Sequence, residues 1–274
     1  MRWRLGATGY YNRGWRGPFF PPGLPQSKWL SHYATRFDAI ELNTTFHAAP
    51  TPQRVRDWAA KVPDDFRFSL KAPRAVTHDV ALSNAADPLA AFLETVVELG
   101  PKLGVVLLQF GPHHGVNELP ALERLLAGLP KRFGDGGRFA VEFRDASWLA
   151  PPTYRALRAH GAALVAADLE DLPAAAGIVP TADFLYVRLL GKHGRFESDD
   201  HELFDPTPRL TWWRDRLRRA IASGRFGPDG PAEAWVLSNN DFAGHAPATL
   251  RRIAGLLDAP LPGDEVKAQA DLFD

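Results

Sequence analysis

The 274-residue chain contains no cysteine, which excludes disulfides, thiolate zinc sites, iron–sulfur clusters and a cysteine nucleophile. It lacks an excess of either charge: 32 Lys and Arg face 32 Asp and Glu, so no bulk attraction to nucleic acid or to an anionic membrane is built in. No apolar run approaches the ~18 residues that a membrane helix needs. The first residues, broken by Arg2, Arg4, Gly6 and Gly9, are unlike a secretory leader, and the cytoplasm is the expected compartment. Gly6-Ala7-Thr8-Gly9 is not the glycine fingerprint with which a doubly wound sheet cradles a dinucleotide. Neither a sequence repeat nor a linker composition divides the chain before its last residues.

What is present is an alternation of two textures. Short strand-like apolar runs cover residues 3–7, 38–43, 66–71, 105–110, 139–143, 162–168, 184–190 and 234–239. Between them lie stretches of helical spacing at 25–37, 52–62, 87–99, 117–129, 152–160, 207–223 and 247–257, several opening on proline. The Pro- and Ala-rich segment 169–180 predicts a weak helix at best. Eight strands alternating with helices in one chain of this length predict an α/β fold, a single TIM-type (β/α)8 barrel over residues 1–258, followed by a linker and tail over 259–274.

Strand alternation then sorts the side chains. Ile40, Leu42, Phe66, Phe68, Leu70, Phe139, Val141, Phe143, Leu185, Val187 and Leu189 should face the helices. Glu41, Asn43, Ser69, Lys71, Gln109, Glu142, Arg144, Asp168, Tyr186 and Arg188 should face the barrel axis. For Asn239 and Asn240 the parity stays open. Polar groups thus crowd the carboxyl ends of the strands, where barrels of this type do their chemistry, and that crowding favours a ligand site over an inert ionic plug.

The strings Gly6-Ala7-Thr8-Gly9-Tyr10, Glu41-Leu42-Asn43-Thr44-Thr45-Phe46, Phe68-Ser69-Leu70-Lys71-Ala72-Pro73, Gln109-Phe110-Gly111-Pro112, Val141-Glu142-Phe143-Arg144 with Ser147-Trp148, Tyr186-Val187-Arg188-Leu189 and Asn239-Asn240-Asp241 resemble the YecE-like family, also known as domain of unknown function 72. The resemblance runs from about residue 3 to residue 257 and implies a TIM-type barrel, with no established activity attached. The chain departs from the family pattern at Tyr10, His47, Asp145 and Leu190, where relatives usually carry Trp, an aromatic, His and His.

Three chemistries compete for the expected site. Glu41, Glu142 and Asp168 offer hard oxygen ligands, but Lys71, Arg144 and Arg188 beside them would repel a divalent metal, so a metal is disfavoured and no cofactor is expected. Glu142 and Glu41 could work as an acid/base pair on a glycoside, although basic neighbours suit a base better than an acid. A small anionic, sugar- or nucleotide-like substrate fits best, held by Arg144, Arg188, Gln109, Asn239 and Asn240, with Tyr10 and Trp148 on the rim. Catalytic roles then fall to Glu142, Glu41, Asp168 and Lys71, and His78 is the nearest titratable neighbour. The carboxylates should keep Lys71 protonated. The alternative is a non-catalytic adaptor tied to DNA maintenance. Gln269, Leu272 and Phe273 near the end of the chain resemble the peptide by which bacterial proteins dock on the DNA sliding clamp.

Overall fold

The computed structural model describes residues 1–130, 137–226 and 230–263. Eight parallel strands form one sheet in the order β1-β8-β7-β6-β5-β4-β3-β2: β1 (Arg2–Ala7), β2 (Ala39–Leu42), β3 (Arg67–Lys71), β4 (Leu103–Phe110), β5 (Arg138–Phe143), β6 (Ala163–Asp168), β7 (Phe184–Leu189) and β8 (Glu233–Ser238). Every expected strand is present, within two residues at each end. Among the described residues the helices are α1 (Trp29–Tyr33), α2 (Thr44–His47), α3 (Pro52–Ala59), α4 (Arg74–Thr77), α5 (Ala86–Val96), α6 (Leu119–Ala127), α7 (Pro151–His160), α8 (Thr207–Ala222) and α9 (Ala246–Leu257). The β6–β7 crossover contains only a 3-10 turn, Pro173–Ala176, as its proline and short apolar reach predict. No helix among the described residues is long and apolar enough to cross a membrane.

The barrel closes by a device other than a ladder. β1 pairs with β8 in parallel register, and no main-chain ladder joins β1 to β2. The Tyr33 hydroxyl, wholly buried, accepts from Ala7 N (2.6 Å) and donates to Ala39 O (3.0 Å). Leu5 N donates to Asp38 Oδ1 (3.1 Å) across the same seam. Gly6 is required there, because a Cβ would fall 2.0 Å from Ala39 O; any side chain would force the two strands apart.

Outward strand residues such as Phe68, Val141 and Val187 join the helices in one apolar layer. Inside the barrel Ala140, Val165, Trp235 and Leu237 form a second cluster, with Tyr186 stacked on Trp235 at 6.0 Å. The interior is ionic at both ends. At the amino end Arg4 donates to Glu233 Oε1 (2.8 Å) and pairs with Asp38 (3.3 Å), while Arg138 pairs with the other oxygen of Glu233. The crowding of polar groups at the carboxyl end is therefore not unique to that end.

The chain also stays on the barrel beyond residue 258, where a linker was expected: Ala259 is buried and Leu261 packs against the core. Gln269, Leu272 and Phe273 lie outside the described residues.

Tyr33→Phe leaves the Ala7 N–H and the Ala39 carbonyl without their shared partner. The expected cost is ~1–3 kcal/mol, read as a lower urea midpoint with an unchanged slope. A midpoint equal to wild type would show that the hydroxyl does not hold the seam.

Candidate functional site

The carboxyl-end network is assembled from strands that are not neighbours. Arg188 of β7 donates through Nη1 to Glu142 Oε2 of β5 (2.5 Å) and through Nη2 to Glu41 Oε1 of β2 (2.6 Å). Glu41, Glu142 and Arg188 are 0%, 1% and 3% exposed, so these charges meet without water between them. Tyr186 donates to the second oxygen of Glu41 (2.8 Å). With its proton committed there, it accepts from Ser69 Oγ (2.6 Å). Arg144, partly exposed, donates through Nε to Glu142 Oε1 (2.5 Å). Lys71 Nζ donates to Gln109 Oε1 (2.6 Å) and sits 3.9 Å from the centre of the Phe46 ring. Gln109 and Glu142 are brought level by the β4–β5 register.

Burial acts on each charge, and the neighbours decide the outcome. Burial would raise the Glu142 pKa, but Arg188 and Arg144 outweigh it and hold the carboxyl below its ordinary value. Burial would lower the Arg188 pKa, but Glu142 and Glu41 outweigh it and raise it, so the guanidinium is permanently charged. Lys71 goes the other way. Burial, then the Arg188 charge, lowers it to about 8, against the pull of Glu142 and Glu41. Even so lowered, Lys71 stays mostly protonated at pH 7 and loses its proton only as the pH rises through about 8.

Above this network opens a cavity of about 550 Å3, within the ~300–1,000 Å3 typical of small-molecule sites. Arg144 and Arg188 lie in its wall with Thr8, Asn43, Pro112 and Asn239, and the loops after β6 and β7 cover it with residues 169–172 and 190–193. Two buried atoms of the lining residues have no protein partner, Arg188 Nε and Asn43 Oδ1. Among the described residues Arg144 bonds Glu142 through Nε, and its two terminal nitrogens have no hydrogen-bond partner.

Some of the expected residues are elsewhere. Asp168 points outward to the helix layer, where it accepts from Arg209 (2.8 and 3.0 Å) and from Trp213 Nε1 (2.5 Å) of α8. On β6 it is Ala163, Val165 and Ala167 that face the axis. The three carboxylates weighed as metal ligands are thus not brought together, and among the described residues no group of three or more His, Asp or Glu could hold a metal. Trp148 is fully buried, stacked on Phe143 at 4.4 Å with its Nε1 donating to His114 O (2.7 Å), so it is packing and not rim. Tyr10 packs on the core beside Trp58 and Arg54, away from the cavity.

His78 lies against Phe46 (4.8 Å between rings). Burial and the Lys71 charge push it down to about 4, so it is neutral near pH 7. Asn239 reaches the cavity, though its Oδ1 accepts from Phe242 N (3.1 Å) and its Nδ2 donates to Asp241 (3.1 Å). Asn240 lines a neighbouring cavity instead. Ser69 and Tyr186 were legible as inward by parity yet had no place among the expected site residues; both support Glu41. The cavity's loop residues follow no periodicity and gave no sign in advance.

Removing Arg188 strands two buried carboxylates. Arg188→Ala should lose ~3–5 kcal/mol of stability, and adding Glu41→Gln with Glu142→Gln should recover part of it. Arg144→Ala, at the solvent edge, should cost no more than ~1 kcal/mol. Chemical denaturation of the three variants checks the order; equal losses at 144 and 188 would show that burial is not what gives the network its weight.

A family model described as "Protein of unknown function DUF72" matches residues 4–270. Over 138 residues the chain is 38% identical to the UPF0759 protein YecE of Escherichia coli K12, covering 47% of this chain and 49% of that protein. It is 27% identical over 164 residues to the UPF0759 protein YunF of Bacillus subtilis 168, covering 55% and 53%. The chain thus spans about half the length of the curated relatives it matches. A solved DUF72 family protein from Thermotoga maritima MSB8 superposes with a TM-score of 0.72 at 25% identity, over 94% of this chain and 100% of that one. Another from Enterococcus faecalis V583, with a TM-score of 0.65 at 19% identity over 94% and 98%, shares the fold. With a family model running from β1 to past the last helix, the chain belongs to the DUF72 family.

Proposed function

We propose that this barrel is an enzyme acting on a small anionic molecule, sugar- or nucleotide-like, at the carboxyl-end cavity. One observation carries the reading. Arg188 and Arg144, both in the wall of the open cavity, keep donors that no acid engages: Arg188 Nε is buried without a partner, and Arg144 bonds Glu142 through Nε with its terminal nitrogens left over. An anion entering the cavity meets the free terminal nitrogens of Arg144 and the unpartnered Arg188 Nε, with the Lys71 ammonium outside the lining as a nearby charge. These are the charge-assisted contacts that phosphate and carboxylate oxygens favour.

The acid/base roles shift accordingly. Glu41 and Glu142 are tied to Arg188 and act by holding it in place. Lys71, lowered to about 8, is the group whose proton can be given and taken near neutral pH. A bound anion returns its pKa upward, and the departure of negative charge releases the proton again.

Sulfate, which does not titrate near neutrality, is the probe for calorimetry. Below about pH 8 Lys71 carries its charge; as pH rises through about 8 the charge is lost, so affinity should fall ~10-fold by about pH 9.5. Lys71→Gln should bind weakly at every pH in that range. Absence of sulfate binding by folded wild type at low salt would sink the anion site. Catalysis is tested separately: incubation with a small-molecule cell extract should change phosphorylated or carboxylated metabolites with wild type and not with Lys71→Gln. Binding with no metabolite changed would make this a binding protein.

A further inference from the structure

A second cavity of about 260 Å3 adjoins the mouth, and Thr8 and Asn239 line both. Its polar groups are set by the protein in a specific way. Asn240 Oδ1 accepts from Trp15 Nε1 (3.1 Å) and from Ala246 N (2.9 Å), which fixes the amide and leaves its Nδ2 hydrogens unused. Asn12 Oδ1 accepts from Gly14 N (2.9 Å), with the same result. The Asp199 backbone is held by His245, whose Nδ1 meets Asp199 O at 2.9 Å. Its carboxylate lies against Gly14, where a Cβ would fall 1.6 Å from Oδ1, so a larger residue there would have to push the acid aside. Tyr11 and Trp15 supply aromatic surface in the same wall.

The two cavities differ in character. The mouth presents the guanidinium groups of Arg144 and Arg188, with Lys192, Glu170 and Asp171 on its loops. The side cavity has Asp199 and Asp241 and no Lys or Arg among its described lining residues, so it repels an anion. Two oriented amide donors, a carboxylate acceptor and aromatic faces are the complement of hydroxyl groups on a carbon ring. Each hydroxyl can accept from an amide and donate to the acid, while ring C–H faces lie on the aromatics.

We propose that the side cavity binds the hydroxylated body of the ligand whose anionic group sits at Arg144 and Arg188, which makes that ligand a sugar phosphate. The inference rests on the anion site argued above and fixes the orientation: phosphate in the mouth, sugar toward Tyr11 and Asp199.

The test is calorimetry with inorganic phosphate, ribose 5-phosphate and glucose 6-phosphate on wild type, Asp199→Ala and Tyr11→Ala. At least one sugar phosphate should bind wild type ~10-fold or more tightly than inorganic phosphate, a gap of ~1.4 kcal/mol. Asp199→Ala should erase that advantage without weakening inorganic phosphate. Tyr11 is 59% exposed, so Tyr11→Ala keeps the fold and should reduce the advantage on its own. If inorganic phosphate binds and neither sugar phosphate binds more tightly, or if both variants keep the advantage, the side cavity is not a sugar site and the anion site stands. If no anion binds wild type, both readings fall together.

Discussion

Arg188 is the charge on which the carboxyl end of this barrel depends. Its guanidinium reaches from β7 to Glu142 on β5 and Glu41 on β2, ties strands on opposite sides of the axis, and makes two otherwise costly buried carboxylates tolerable. In water such pairs contribute little; out of water each partner is expensive alone, and the network survives because every member is engaged. Tyr186 extends it by donating to the remaining oxygen of Glu41, and Ser69 in turn bonds the Tyr186 hydroxyl. The floor of the cavity is thus held by charges that need not reorganise, as the proposed anion site would require.

Ionic groups inside a barrel do not by themselves mark a site. The amino end is as ionic as the carboxyl end, with Arg4, Arg138, Glu233 and Asp38 in mutual contact. One difference separates them. The carboxyl end opens into a cavity roofed by the loops after β6 and β7, with Arg144 and Arg188 in its wall. Open volume beside arginine donors, and not polarity alone, separates the two ends.

Most of the site was legible because most strands have one large apolar face. Phe139, Val141 and Phe143 leave no choice about where Glu142 points, and Leu185, Val187 and Leu189 settle Arg188 the same way. β6 breaks the method. Its run from Ala163 to Ala167 is apolar on both faces, so alternation carried no sign of which way Asp168 turns. The answer came from α8, whose Arg209 and Trp213 could be matched to Asp168 only in three dimensions. Trp148 misled for a different reason: a loop aromatic can be packing or platform, and stacking on Phe143 makes it packing. The Lys71 shift was hidden because its sign depends on who already holds the carboxylates. Counting charges favoured an ordinary ammonium; placing them showed Glu41 and Glu142 committed to Arg188, with burial left to dominate.

The same placement limits how an anion can be held. Arg188 spends both terminal nitrogens on carboxylates, so the two-pronged grip usual for arginine is closed to it and a single Nε–H remains. Arg144 is the reverse, with Nε engaged by Glu142 and the terminal pair free. An oxyanion bound as proposed would take its paired contact from Arg144 at the solvent edge and a single contact from the buried Arg188. Glu142, bound to both arginines, fixes their relative position, and its lowered pKa keeps it charged across the neutral range; in the proposed site it would act without touching the anion.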